Sequence, residues 1–515
     1  MPDPAPKDSD VQNSMVNADL RETRVVSKPD YRVIYNQDDS VLFFETSYAK
    51  ERMTPQHVDR MVDEVADGGA DVFLTCVNAQ KVNYPSKVWE RYWDDEEANK
   101  AHTELIRGMI GSMQELAGQC DYLERAVSRC RQRGIVPGAS IRMNDMHGFP
   151  QWPNAPSFSR FYKDHRAWQL ESDRSRGYAS RALDYEVPEV REHYMSLIRE
   201  VANDYNVELI ELDFTRFPVY FDRDNIDQHC ATMTTFLAEI REVLNSTGRT
   251  IAFVPRIAAW LGGAKGLGFD VEAWAQRGIV DGITIAEFLS TGWEMPIAKF
   301  RHRVGPDVAI FAAGECTAVE PEGLSRQYLP TDRELLRGFA SAYLASGADG
   351  VYLFNFFAVH HPWGGREMIP LFDAFSELKD LAALRAKPRR HVTTHVFDMV
   401  EINLPLQVPV DLKPNQSRAF HMLLAAEDGA LDVRALITVD RMVNTKDLWL
   451  YVNDEPIGCA AEIVEGELGR FRSHVAVFNL PHGIVRDGAN ELVVRCEYTL
   501  IKIVGLEVRF GEARS

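Results

Sequence analysis

Between residues 41 and 357 a short apolar run, rich in β-branched or aromatic residues, recurs eight times, and stretches of helical spacing fill the gaps. The runs are VLFFETSY from Val41, DVFLTCVNAQ from Asp71, IVPGASIRMND from Ile135, VELIELDFTRFP from Val207, TIAFVPRIA from Thr250, DGITIAEF from Asp281, DVAIFAAGEC from Asp307 and GVYLFNFF from Gly350. Helical spacing covers 55–66, 102–133, 190–205, 228–244, 271–276, 297–303 and 332–345. A strand followed by a helix rejoins the same sheet as a parallel neighbour, so this order predicts a parallel sheet with helices outside it. Several helical stretches end in Gly just before the next run, at Gly69, Gly134, Gly278 and Gly347, the place for a left-handed cap. Eight such units over about 340 residues predict a (β/α)8 TIM barrel, an α/β fold. A doubly wound dinucleotide fold lacks its fingerprint, because no Gly-x-Gly-x-x-Gly follows the first run. Gly262, Gly263, Gly266 and Gly268 form a loop without the spacing of a phosphate cradle.

The flanks differ in character. Residues 1–30 are polar and without periodicity, which predicts a flexible arm, and the barrel is assigned to 31–385. After Leu384 comes the charged, Pro-containing AKPRR, and from 391 helical spacing disappears. Alternating runs such as RALITVD, LWLYVND, HVAVFNL, ELVVRCEY and GLEVRF follow, separated by turns at Asn453-Asp454, Pro481-His482-Gly483 and Asp487-Gly488. This predicts a jelly-roll-like all-β sandwich over 391–515 that braces the barrel.

Charge and composition exclude several classes. With 57 Lys and Arg against 76 Asp and Glu the chain carries −19, which disfavours nucleic acid and anionic membranes as partners. No apolar stretch approaches the ~18 residues of a spanning helix, and no secretory core is visible, so a cytoplasmic location is expected. The seven cysteines include no C-x-x-C, which points to core thiols instead of disulfides or zinc.

In such a barrel the site is built at the carboxyl ends of the strands, where buried charges are costly unless they serve a purpose. Those positions hold Glu45, Asn78, Arg142, Asn144, Asp145, His147, Glu211, Asp213, Arg216, Arg256, Glu287, Glu315 and Asn355. Alternation sends Ile210, Leu212 and Phe214 toward the helices and Glu211 and Asp213 inward, and it also places Glu315 inward. Glu287 shares phase with Ile283 and Ile285, so an inward Glu287 needs a bulge or a twist at the strand end. Arg142, Arg216 and Arg256 are expected to pair with Glu45, Glu211 or Asp145, an anionic ligand group being the alternative. Loop aromatics, namely Tyr84, Trp89, Trp93, Trp152, Trp260, Trp293 and Trp363, offer stacking faces, and His361 before Pro362-Trp363 marks a further substrate-facing loop. The adjacent His360 and His361 point different ways, so no metal is expected.

The fourth-strand LDFTRFP and the sixth-strand FDVEAWAQRGIVDGITIAEF together resemble the glycoside-hydrolase-like barrel proteins that carry an apolar-Asp-x-x-Arg-x-Pro signature. The resemblance covers roughly residues 40–370 and implies a carbohydrate substrate, no cofactor, and a part for Asp213 in cleaving a glycosidic bond. The chain departs from that group in carrying Glu287 where an amide is common. Glycoside hydrolysis needs two carboxyl groups, one ionised and one protonated. Asp213, kept ionised by Arg216, is paired in this reading with Glu287 as acid, and Glu315 is the rival acid. Substrate contacts are assigned to Glu45, Asn78, Arg142, Asn144, Asp145, His147, Trp152, Glu211, Arg216, Arg256, Asn355, His361 and Trp363. A noncatalytic carbohydrate-binding barrel and a metal-dependent lyase or aldolase, the latter centred on Asp145 and His147, are the competing readings.

Overall fold

The structure is a computed structural model that describes residues 28–512 except 39, 101, 148–154, 171–180, 223–224, 288–293, 316, 320–327, 331, 355, 357–370, 394–403, 429–430 and 469–470. The barrel strands are β1 (Val33–Gln37), β2 (Val72–Cys76), β3 (Val136–Arg142), β4 (Leu209–Asp213), β5 (Ala252–Phe253), β6 (Arg256–Ala258), β7 (Gly282–Ala286) and β8 (Ala309–Glu315). A small hairpin, β9 (Thr317–Val319) and β10 (Tyr328–Pro330), precedes the last barrel strand, β11 (Gly350–Phe354). The sheet runs β3-β2-β1-β11-β8-β7-β6-β4 with β5 beside β4, and the β3–β4 pairing closes it. β5 and β6 are two pieces of one barrel position, because Pro255 between them has no N–H to give the ladder. Eight parallel positions therefore form a closed TIM barrel.

Strand alternation divides the core in two. Ile210, Leu212, Ile283, Ile285, Ile310 and Ala312 pack under the helices. Leu209, Val254, Ala286, Phe311, Tyr352 and Phe354 fill the lumen. Left-handed glycines close helices where the sequence places them, with φ of 94° at Gly69 and 71° at Gly134. The helical stretch 102–133 is two helices, Glu104–Ala117 and Tyr122–Arg133. Asp121 starts the second, its Oδ1 accepting from Leu123 N at 2.9 Å and Glu124 N at 3.2 Å while Oδ2 accepts from the Tyr205 hydroxyl at 2.8 Å. Asp121→Ala is expected to cost about 1–2 kcal/mol in a urea unfolding experiment, the range of a lost N-cap.

The first strand corrects the sequence reading. VLFFETSY is a helix, Val41–Tyr48, and the strand is VIYNQ at Val33–Gln37, a segment at the edge of the assigned arm. Val41, Leu42, Phe43 and Thr46 are buried on that helix, and the Phe43 ring meets Tyr122 at 5.1 Å. In β1, Val33 and Tyr35 join the helix-side core and Ile34 joins the lumen. Aromatic and β-branched content suggested a strand at 41–48, and packing against neighbouring helices overrides that preference.

On the outside, the Pro55–Gly68 and Tyr122–Arg133 helices are joined by a ladder of ion pairs. Arg125 Nε donates to Asp59 at 2.7 Å, Arg129 Nε donates to Asp63 at 2.8 Å, and Arg133 reaches both Asp63 and Asp67.

The C-terminal region is a β-sandwich of β12 (Arg389–Thr393), β13 (Val410–Leu412), β14 (Gln416–Leu424), β15 (Leu431–Val439), β16 (Leu448–Val452), β17 (Glu455–Cys459), β18 (Glu462–Leu468), β19 (Phe471–Leu480), β20 (Gly488–Cys496) and β21 (Ile501–Glu512). One antiparallel sheet is ordered β12-β21-β15-β19-β18 with β13 on β21, the other β14-β20-β16-β17. Phe420, Leu450 and Leu492 from the second sheet share a core with Ile437, Phe478 and Phe510 from the first. The arginines of AKPRR are strand residues. Arg389 lies over the Phe510 ring at 3.8 Å, and Arg390 bridges Asp332 of the barrel and Glu507 of β21, each at 2.7 Å. The Arg333–Ala345 helix approaches β12 so closely that a Cβ on Gly338 would lie 1.8 Å from the Arg390 carbonyl oxygen. Among the described residues no helix is long and apolar enough to cross a membrane.

Candidate active site at the barrel mouth

Asp213, the last residue of β4, is 1% exposed and meets Arg256 at the start of β6. Arg256 Nε donates to Oδ1 at 3.1 Å and Nη2 to Oδ2 at 2.9 Å, while Thr215 N and Oγ1 donate to Oδ1 at 2.9 and 2.7 Å. Burial alone would raise the Asp213 pKa, but Arg256, Arg142, the Thr215 hydroxyl and Arg216 together bring it below the ordinary value. The sequence reading assigned that work to Arg216; the principal cation is Arg256, braced over the Phe354 ring at 4.1 Å.

Glu211, two residues earlier on the same inner face, has the opposite setting. Its Oε1 accepts from Ser140 Oγ at 2.7 Å, Tyr352 OH at 2.8 Å and Asn36 Nδ2 at 3.3 Å, and its buried Oε2 has no hydrogen-bond partner. Burial raises its pKa to about 7, with the Asp213 charge adding and Arg256 opposing. Two carboxyls of one strand are thus pushed toward different protonation states.

A second cluster adjoins them. Arg142 Nη1 donates to Asp145 Oδ2 at 3.1 Å, its Nη2 pairs with Asp38, and Asp38 Oδ2 lies 3.6 Å from Arg216 Nη2. Asp145 accepts from His147 N at 2.9 Å and faces His147 Nδ1 at 2.8 Å. Against the cost of burial, His147 and Arg142 hold the Asp145 carboxyl well below the usual range. The His147 side chain, 47% exposed, stands at the rim with its ring 4.8 Å from Phe217. Phe217 has φ +54°, a left-handed backbone at a non-glycine residue of the kind that collects at functional sites.

The expected arginine–carboxylate pairing is present, and of the three expected partners Asp145 takes Arg142; Asp38 takes Arg142 and Arg216, and Asp213 takes Arg256, in place of Glu45 and Glu211. Glu45 is not a strand residue. It sits on the Val41–Tyr48 helix, where burial and Glu64 raise its pKa to about 8 against Arg60. Asp38, one residue past β1, is the carboxylate that sequence reasoning missed; placing the strand at VIYNQ would have found it. Asn78 and Asn144 are occupied by backbone groups. The Asn78 amide bonds Arg142 N and O, each at 3.0 Å, and Asn144 staples Leu183 O at 2.9 Å to Val219 O at 2.7 Å.

Glu287 follows β7 without a bulge, since β7 keeps regular register with β6 and β8. Its Oε1 accepts from Leu404 N at 3.2 Å, and the charge acting on it is Glu294, so it does not join the Asp213 network. Glu315 ends β8 opposite Phe354 of β11, and its side chain lies outside the described residues. Trp152, Trp293, Asn355, His360, His361 and Trp363 also lie outside them. Of the loop aromatics, Tyr84 and Trp89 are buried, Tyr84 OH donating to Glu200 at 2.6 Å and Trp89 stacking on His193 at 4.1 Å. Trp260 is 41% exposed, and Trp93 lines an open depression with Asp94, Asp95, Glu96, Gln114 and Arg160. Among the described residues no group of three or more His, Cys, Asp or Glu could hold a metal ion.

No family model and no curated protein matches the chain. Among solved structures it is similar to an Anoxybacillus α-amylase at 10% identity, covering 91% of this chain and 98% of that one with a TM-score of 0.39. It is similar to a β-L-arabinopyranosidase from Geobacillus stearothermophilus at 10% identity, with 93% and 98% covered and a TM-score of 0.41. An α-galactosidase of the same organism is 11% identical, with 95% of this chain but 59% of that one covered and a TM-score of 0.37. Likeness at this level transfers no residue role.

Proposed function

We propose that the chain is a glycoside hydrolase acting on an oligo- or polysaccharide, with its reaction centre at the barrel mouth and Asp213 as the ionised carboxylate. The observation that carries this reading is the opposed pair on β4: Asp213 held ionised by Arg256, and Glu211 disposed to keep its proton near neutrality. Cleaving a glycosidic bond calls for that division of roles, one carboxyl stabilising or attacking the anomeric carbon while another protonates the departing oxygen. Glu211 is the first choice for the proton-holding partner because it lies in the Asp213 network. Glu315 is the second, and Glu287 ranks behind both because its contacts are Leu404 and Glu294. His147 at the rim, anchored by Asp145, is suited to meet a sugar hydroxyl.

One observation favours a second reading, a noncatalytic carbohydrate-binding barrel. Both Asp213 oxygens are already engaged by Arg256 and Thr215, as they would be in a purely structural ion pair. The readings separate when the purified protein is offered a panel of oligosaccharides, polysaccharides and activated aryl glycosides. A hydrolase releases product, and Asp213→Asn lowers kcat by about 10²–10⁴-fold on every substrate. Removing the acid spares the aryl glycosides, whose leaving groups need no protonation, so Glu211→Gln, Glu315→Gln and Glu287→Gln identify it. Saccharide binding without product release from any substrate would establish the second reading.

A further inference from the structure

Residues 404–407, on the way from β12 to β13, lie against the carboxyl end of β7. Leu404 N–H donates to Glu287 Oε1 at 3.2 Å. Gln407 is stitched to β14 by both ends of its amide, Nε2 donating to the His421 carbonyl at 2.7 Å and Oε1 accepting from His421 N–H at 2.7 Å. The same Nε2 also donates to Glu294 Oε1, so one side chain joins the sandwich to the barrel. Glu287 is 4% exposed, and its Oε2 is buried without a hydrogen-bond partner. Among the described residues, Glu294 and Leu404 N–H bear on Glu287, the Gln407 amide bears on Glu294, and both carboxyls bear on Tyr343, whose hydroxyl accepts from Met295 N–H at 3.4 Å. Among the described residues no cation acts on either.

We propose that Glu287, Glu294 and Gln407 form an acid-closed latch that holds the 404–407 segment of the sandwich against the barrel mouth and releases it when the carboxyl pair, Glu287 buried and Glu294 half-buried, becomes fully ionised. Two neighbouring anions, in a seam whose described residues supply two amide donors and no cation, repel each other and lose hydration together. A neutral or singly ionised pair does neither, and it still accepts the Leu404 and Gln407 hydrogen bonds. Burial and the neighbouring Glu294 raise Glu287 to about 8, and burial raises Glu294 to about 7, although Gln407 opposes it. A carboxyl whose pKa is higher in the closed state stabilises that state fully below its ordinary value and loses the contribution as pH rises through the closed-state value. The latch is therefore shut in acid and weakened above neutrality. The proposal is independent of the reaction assigned to the barrel mouth.

The Leu404 amide reports the latch directly by hydrogen exchange on the full chain. Its protection factor is expected to fall by up to a hundredfold per pH unit between about pH 5 and 7, where opening releases two protons, and by about tenfold per unit between about pH 7 and 8, where it releases one, and then to level. Amides of β15, a strand that carries no carboxyl with a raised pKa, should show no such slope. Glu287→Gln retains an acceptor for Leu404 N–H but leaves only Glu294 to ionise, so it should cut the slope to at most tenfold per unit below about pH 7 and keep protection high, and Glu287→Gln with Glu294→Gln should flatten it. Gln407→Leu removes the link to β14 and should leave Leu404 poorly protected at every pH. Flat protection in the wild-type chain, an unchanged slope in a Glu287→Gln, Glu294→Gln double variant, or the same slope at β15 amides would each overturn the latch.

Discussion

Arg256→Met is expected to lower the unfolding free energy by about 3–5 kcal/mol, the cost of leaving a buried charge without its partner. Asp213 is 1% exposed and Arg256 2%, so water cannot replace the guanidinium, and the two Thr215 bonds do not neutralise the carboxylate. Adding Asp213→Asn should recover most of the loss, because an amide keeps an acceptor for Thr215 and carries no charge. The pH dependence has a defined sign. With Arg256 present, the Asp213 pKa is depressed, so its contribution is full above the unfolded-state value and is lost as pH falls toward the folded-state value. Without Arg256 the largest influence opposing burial is gone, the folded-state pKa of Asp213 rises, and the deficit against the wild-type chain should narrow on acidification. Urea unfolding of the four proteins of the cycle at pH 5 and 7.5 checks both statements. A loss below about 1 kcal/mol would mean that the pair is solvated as surface pairs are.

Gly338→Ala should destabilise by about 1–3 kcal/mol, although intrinsic helix propensity favours Ala over Gly by about 1 kcal/mol. The residue lies inside the Arg333–Ala345 helix, and its Cβ would fall 1.8 Å from the Arg390 carbonyl oxygen and 2.7 Å from its carbon. Those are backbone atoms of β12, so no rotamer change relieves the clash and the helix must lift from the sandwich. The lift strains the Arg390 bridge between Asp332 and Glu507. Thermal unfolding should show the decrease, and a Gly338→Ala chain as stable as the parent would mean that the two packed elements part at little cost.

The barrel was legible in the sequence wherever one local signal had no competitor. The strands from β2 to β11 carry apolar runs with glycine caps just ahead of several of them, and alternation placed Glu211 and Asp213 in the lumen because Ile210 and Leu212 have nowhere else to pack. The first strand was not legible: VIYNQ is short and adjoins a polar arm, while VLFFETSY has strand-like composition and becomes helix only through partners far along the chain, such as Tyr122. Losing the strand also lost Asp38 from the site. Glu287 shows a different limit. Its phase with Ile283 and Ile285 already indicated the helix side, but the partner there, Leu404, belongs to a segment 117 residues away. Which arginine meets which carboxylate likewise depends on the relative height of neighbouring strands, and periodicity within one strand carries no such information.

The arginine–aspartate ladder between the Pro55–Gly68 and Tyr122–Arg133 helices has a constant offset of 66 residues at Asp59, Asp63 and Asp67. Turning either helix by one residue, about 100°, would break every rung. Sliding it by one whole turn would set Arg125 against Asp63 and Arg129 against Asp67, and would lose only an end rung. Like a vernier, the ladder distinguishes angle but not height. Height is fixed by steric stops, such as Gly68, where a Cβ would lie 2.2 Å from the Phe372 carbonyl oxygen. Salt weakens the first device and leaves the second untouched. At high ionic strength, then, these helices should rock about their axes while remaining at the same level on the barrel.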